Sequence, residues 1–177
     1  MSIILTILLV LLGIIVLLLI FGLFMRKEHY VRREIIINVP SRKVFDYIKL
    51  LRNQDTFNKH AMEDGDRKRE YKGTDGTVGY VYSWSGNKSA GVGEKEIVNI
   101  VDGKRMEAEI RFVKPMTATA RIIMETESLS DGQTKVSWSN AGKLGYPVNI
   151  MIPVMERMLP KEMDSSLSTL KNILEKQ

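Results

Sequence analysis

The residues that could perform chemistry in this chain are few, and their spacing excludes most mechanisms. There is no cysteine, which rules out disulfides, thiolate metal sites and cysteine nucleophiles. Two histidines occur, His29 and His60. They form no pair with metal-ligand spacing and no HExxH-like motif, and neither stands among suitable partners for a triad. His60 lies beside Glu63 and Asp64 in a charged, turn-like stretch, which suits a solvated surface histidine better than a base. No catalytic residue, metal ligand or cofactor is assigned on these grounds.

Carboxylates recur in pairs two residues apart: Glu94 and Glu96, Glu107 and Glu109, Glu125 and Glu127. In a strand such pairs share one face. The reading is a solvated outer face, balanced across strands by Arg105, Arg111 and Arg121. No glycine-rich phosphate loop appears. Gly91-Val92-Gly93 reads as a strand entry or bulge.

A more suggestive set is aromatic and methionine-rich. Tyr80, Tyr82, Trp84 and Trp138 fall on strands, as do Met106 and Met124, while Met151, Met155, Met158 and Met163 fall in the tail. Methionine adapts to variable partners, and Tyr and Trp offer a donor from an apolar wall. These residues fit an ordinary core or the lining of a pocket.

The elements that would position them follow from periodicity. Arg33–Val39 is β-branched and reads as a strand, and Ser41 is a plausible N-cap for a helix carrying Val44, Phe45, Ile48 and Leu51. A second helix is expected over Asn53–Met62, then a polar turn over Glu63–Asp66. Period-two strands follow: Arg67–Lys72, Val78–Trp84, Gly91–Val101, Arg105–Phe112, Met116–Glu127 and Gln133–Asn140. In the second of these Val78, Tyr80, Tyr82 and Trp84 share a face, and Ser85-Gly86-Asn87 turns the chain. The tail returns to helical spacing through Met155, Leu159, Met163, Leu167, Leu170 and Leu174, with Pro160 expected to kink or offset the helix. An antiparallel meander with one apolar face needs a cover, and this long helix is the only element large enough.

Ahead of all this, Ile3–Phe24 is an uncharged apolar run, longer than the ~20 residues that cross a bilayer as a helix. No basic residue precedes it and no small-x-small cleavage site follows, so it reads as a retained anchor, residues 1–25, and not as a signal peptide. Arg26, Lys27, Arg32 and Arg33 follow it, and with Glu28 leave a formal +3. They set topology, and they could also attract anionic headgroups. Residues 26–32 are expected to form a basic juxtamembrane tether and residues 33–177 one domain, about the ordinary size. The net charge of +5 suits an anionic membrane surface. No Lys/Arg stripe interleaved with aromatics points to nucleic acid.

The stretch from Glu34 to Ile48, EIIINVPSRKVFDYI, resembles the START-like (SRPBCC) superfamily, closest to its polyketide cyclase/dehydrase-like branch. The Gly79–Asn87 hairpin, the Gly91–Ile97 strand and the final helix extend the resemblance over nearly all of residues 33–176. It implies an α+β helix-grip fold, a curved antiparallel sheet around a long C-terminal helix, with a hydrophobic cavity between them. The expected function is a single-pass, membrane-anchored domain that binds a small hydrophobic or amphipathic, lipid-like ligand without turning it over. The nine residues Tyr80, Tyr82, Trp84, Met106, Met124, Trp138, Met151, Met155 and Met158 would line the cavity. The alternatives are a cyclase- or dehydratase-like enzyme and a ligand-free, membrane-tethered interaction module.

The cations flank only the C-terminal side of the span, so the domain is expected in the cytoplasm. A C-terminal reporter should be active there, and activity only on the outside would overturn the orientation. Neutralising Arg26, Lys27, Arg32 and Arg33 together should mix the two orientations.

Overall fold

The computed structural model describes residues 2–63, 67–86 and 91–176, the side chains of His60 and Glu63 apart. Helix α1, Ile3–Phe24, is long and apolar enough to cross a membrane. Ser2 caps it by accepting the Leu5 N–H at 3.3 Å. Strand β1, Glu28–Ile37, is followed by α2 (Ser41–Ile48), α3 (Leu51–Gln54) and α4 (Lys59–Glu63). Six strands come next: β2 Lys68–Lys72, β3 Val81–Ser85, β4 Val92–Val101, β5 Arg105–Lys114, β6 Ala118–Ser130 and β7 Gln133–Lys143. A 3₁₀ turn, Val148–Met151, leads into α5, Ile152–Glu175.

The strands form one antiparallel sheet in the order β1-β7-β6-β5-β4-β3-β2. β2 to β7 are a meander, and β1 closes onto β7 from Glu28↔Lys143 to Ile37↔Thr134. Helix α5 lies along β1. Arg33 pairs with Asp164 at 3.3 Å, Lys171 donates to the Ile36 carbonyl at 2.9 Å, and the Asn38 N–H donates to Glu175 at 2.7 Å. So α5 rises from the Glu28 end of β1 toward its Ile37 end. Met163, Leu167, Leu170 and Leu174 supply its buried face. Val44, Phe45 and Ile48 of α2 meet them over β6 and β7. This is the α+β helix-grip architecture.

Several boundaries differ from the sequence reading. β1 starts at Glu28, five residues before Arg33, because the alternation continues upstream with His29 and Val31 buried. Only Met25, Arg26 and Lys27 separate α1 from the sheet. Pro40, not Ser41, occupies the N-cap position of α2, and no side chain caps that helix. The helix expected over Asn53–Met62 is two pieces, α3 and α4. Val78 does not share the face of Tyr80, Tyr82 and Trp84: Gly79 takes a positive φ of 85°, the strand starts at Val81, and Val78 is exposed. Helix α5 continues through Pro160. The turns expected at Glu63–Asp66 and around Asn87 lie outside the described residues.

The apolar cluster that holds the sheet to α2 and α5 begins at Val31 and takes nothing from α1. A chain beginning at Lys27 should therefore unfold in one cooperative step with the full antiparallel signature in circular dichroism. Aggregation cured only by restoring α1 would place that helix inside the core.

Candidate functional site

The two faces of the sheet use charge in opposite ways. On the outer face Arg111 is a hub. Its guanidinium reaches Glu94 at 2.6 Å, Glu96 at 2.5 Å and Glu109 at 2.7 Å. The hydrogen bonds it donates to these three carboxylates, Glu96 foremost, push its pKa up. Arg105 at 2.9 Å and Arg121 at 3.1 Å both hold Glu107, and Arg105 also approaches Glu125 at 3.8 Å. Arg111 with Glu94 and Glu96, Arg121 with Glu107 and Arg105 with Glu125 are the expected cross-strand pairs, whereas Arg111–Glu109 and Arg105–Glu107 lie within β5, and Glu107 is buried instead of solvated. Most of the partners are a third exposed or more, so each pair contributes at most about 1 kcal/mol.

The inner face carries the expected aromatic residues. Tyr80, Tyr82, Trp84, Met106, Met124 and Trp138 are all buried there. Tyr71 and Tyr82 pack at 5.5 Å between ring centroids, Tyr82 and Trp84 at 5.9 Å, and Trp84 meets Phe112 edge-on at 5.9 Å. Gly93 makes this ladder possible. It sits opposite Trp84 in the register, and a Cβ there would fall 2.6 Å from the indole and 2.9 Å from the Arg111 carbonyl. Trp138 packs edge-on to Phe57 at 6.4 Å, and its buried indole N–H has no hydrogen-bond partner among the described residues.

The tail methionines are placed differently. Met155 is half-buried, whereas Met151 and Met158 are exposed. The buried side of α5 is the stripe through Ile152, Met163, Ser166, Leu167, Leu170 and Leu174. Met151, Val154 and Met158 recur at spacings of three and four, so they form a neighbouring stripe turned away from it. Of the four cations expected at the membrane surface, Arg26 pairs with Glu156, and Lys27 gives its carbonyl to Leu144 N–H at 2.8 Å. Arg32 and Arg33 lie within β1. Arg32 pairs with Glu34 and Glu125, and Arg33 with Asp164. His29, also in β1, is buried, and its Nε2 lies 3.1 Å from Asn140 Oδ1.

A polar cluster that the sequence reading did not single out is set into the inner face. Lys95 lies opposite Tyr82 in the register and is 7 % exposed. Its Nζ donates to Gln54 Oε1, and Gln54 in turn donates to the Ile48 carbonyl at 3.1 Å. Beside it, Asp55 accepts from the Tyr82 hydroxyl at 3.1 Å, Arg67 at 2.7 Å and Arg69 at 3.1 Å. Two arginines thus pair with one carboxylate, and Lys95 stands beside them without an ion pair to it. Desolvation pulls the Lys95 amine down from 10.5 to about 8, with Asp55 opposing and Arg67 reinforcing the shift. Burial, then the Asp55 charge, pushes the Tyr82 phenol up. The signal was present in the alternation: Glu94 and Glu96 outward puts Lys95 inward, on the same side as Gly93 and Ile97.

From Lys95 the register runs across the sheet through Ile110, Ala120 and Gly142. The row therefore begins at a buried amine, crosses apolar and small residues, and ends at buried His29 on β1. Such a floor can hold an amphipathic molecule or pass a proton between an amine and a phenol. A hollow of about 490 Å³ beside Arg26, Arg121 and Lys143 takes in His29, Ala120 and Gly142 from the far end of that row, and one of about 590 Å³ opens beside Arg105 and Glu125. None of the nine expected lining residues borders either. Among the described residues no three His, Asp or Glu side chains gather to hold a metal.

The fold has many counterparts of known structure. A Chromobacterium violaceum protein superposes with a TM-score of 0.60 at 14 % identity, covering 82 % of this chain and 96 % of that one. Ara h 8.0201 gives 0.58 at 14 % identity over 85 % and 99 %. Norcoclaurine synthase from Thalictrum flavum, in complex with dopamine and hydroxybenzaldehyde, gives 0.62 at 8 % identity over 88 % and 91 %. At these identities the likeness is one of fold. No family model matches the chain, and no curated protein matches it.

The lowered amine has a thermodynamic signature. Between pH 8 and 10.5 the unfolded chain holds a proton that native Lys95 has released, so native stability gains as pH rises. The shift corresponds to on the order of 3 kcal/mol. Denaturant unfolding of the wild type and Lys95→Met across that window should give a difference that grows by about this amount in favour of the wild type. A difference independent of pH would mean the amine titrates normally.

Proposed function

We propose that the domain binds a small amphipathic molecule, lipid-like and with an anionic or acceptor head, on the inner face of the sheet beneath α5, and does not transform it. The carrying observation is Lys95, a buried amine on the inner face whose Nζ donates to Gln54 Oε1 and which has no carboxylate within ion-pairing distance among the described residues. An anionic head would make charge-assisted hydrogen bonds with the Lys95 amine, about twice as strong as neutral ones. The apolar body would lie along Ile110, Phe112 and Trp84, with Met155 and Leu159 half-buried on α5. The unpartnered Trp138 donor supports the same reading. Norcoclaurine synthase, a protein of this fold whose structure holds dopamine and hydroxybenzaldehyde, supports small-molecule binding and leaves open whether the molecule is transformed. With α1 as a single-pass anchor and the domain on the cytoplasmic side, the bilayer itself would supply such a molecule.

A second reading has one observation in its favour. An amine held near pH 8 next to the Tyr82 phenol is suited to proton transfer, as a cyclase- or dehydratase-like enzyme would require. Mass spectrometry of molecules co-purified with the full chain separates the two, since a binding protein returns its ligand unaltered.

Both tryptophans of the chain, Trp84 and Trp138, lie on the proposed floor, so intrinsic fluorescence reports occupancy. A long-chain fatty acid should change that fluorescence and raise Tm by mass action. Lys95→Met should weaken the fatty acid about tenfold or more and leave the matching fatty alcohol within about twofold, the difference expected of one hydrogen bond to a charged group. Equal losses for acid and alcohol would remove Lys95 from the binding role. Silence with both, in the wild type, would leave the interaction module.

A further inference from the structure

Helix α1 is docked on the domain as well as joined to it. Asn149, fully buried in the 3₁₀ turn, donates from Nδ2 to the Gly22 carbonyl at 2.7 Å and the Met25 carbonyl at 3.1 Å. Carbonyls in the last turn of a helix lack an intrahelical N–H partner, so Asn149 satisfies them from a distant point in the sequence. Gly22 is the only buried residue of α1, and a Cβ on it would lie 2.9 Å from Ile150 Cγ2. Arg26 pairs with Glu156, and the Leu144 N–H donates to the Lys27 carbonyl. These contacts surround the point where α1 ends.

They also fix a depth. Gly22 lies about 3 Å, little more than half a helical turn, before the end of α1 at Phe24. The 3₁₀ turn that touches it therefore stands level with the last turn of the span, where hydrocarbon gives way to headgroups. At that level the domain exposes Tyr146, Met151 and Val154, each over two-fifths accessible, beside the exposed Phe24. Met158 continues the stripe but lies about 10 Å further along α5, on a helix that climbs away from this end. Arg26 and Lys27 stand at the same boundary, as basic residues do beside headgroups.

We infer that this face, Tyr146 with Met151 and Val154, is seated in the interfacial layer of the same bilayer that α1 enters, with lipid as its occupant. The inference rests on α1 spanning that bilayer. Its consequence for the proposed function is a short apolar route: the exposed stripe adjoins Met155 and Leu159, which are half-buried and lead toward the inner face of the sheet.

The absence of cysteine permits a direct test. Single variants Met151→Cys, Val154→Cys, Met158→Cys and Leu12→Cys of the full chain would carry an environment-sensitive fluorophore in phosphatidylcholine vesicles. Leu129→Cys and Val101→Cys, at the opposite end of the sheet, serve as controls. Quenchers attached high or low on the acyl chain then report depth. The label at position 12 should be quenched by the deep probe. Labels at 151 and 154 should lose roughly half their intensity or more to the shallow probe, 158 less, and 129 and 101 almost none. Adding Asn149→Leu should reduce quenching at 151 while leaving it at 12. If position 12 is quenched but 151 and 154 behave like 129, the interfacial face is overturned and the anchor stands. If position 12 also escapes, the anchor reading itself falls, and the face with it. Protection of 151 and 154 that scales with protein-to-lipid ratio would assign the face to a second copy, and overturn the lipid assignment.

Discussion

The pairing of β1 with β7 is the interaction on which the remaining geometry depends. It joins segments about a hundred residues apart in a ten-residue antiparallel register, from Glu28↔Lys143 to Ile37↔Thr134. Closing a loop of that length is entropically unfavourable, and the buried strip of Val31, Ile37, Val136 and Trp138 offsets it. Everything else takes its place from this pair. Helix α5 has a seat because β1 is there. The end of α1 meets the 3₁₀ turn because β1 starts where β7 stops. The inner floor has a far wall because the meander is extended by one strand from the front of the chain.

Charge is distributed by the same pleat. Residues two apart share a face, so the carboxylates on β4, β5 and β6 fall together outside, and Arg111, Arg105 and Arg121 neutralise them at little net gain. Inside, one lysine on the opposite phase of β4 has no carboxylate within ion-pairing distance among the described residues and relies on Gln54 instead. Neither arrangement dominates stability, which comes from the apolar cluster under α2 and α5. The outer ladder keeps the sheet soluble and in register. The inner amine, costly to desolvate, is the feature for which folding alone gives the weakest reason.

Much of the fold was readable from periodicity. The strand order of the meander, the inward phase of Tyr82, Trp84, Met106 and Met124, and the long closing helix all follow from spacings of two and of three to four. What escaped the sequence has specific causes. The start of β1 was hidden because its exposed phase is Glu28, Tyr30, Arg32 and Glu34, which reads as a charged linker. Val78 was assigned to the wrong face because a glycine with positive φ shifts the phase of the strand after it. The outward turn of Met151 and Met158 depends on which stripe of an apolar helix meets the sheet, and methionine at every third or fourth position does not decide that. The cluster at Asp55 joins α3, β2 and β3, and no local pattern announces a contact of that kind.

The docking of Asn149 on the last turn of α1 has a mechanical consequence. Two rigid bodies joined by a flexible tether reorient independently, but here the carbonyls of Gly22 and Met25 are held by the domain itself. In a bilayer thinner than its apolar length, a spanning helix tilts. Coupled in this way, with α1 across a bilayer, such a tilt would carry the sheet with it, and membrane thickness would set the angle of the domain.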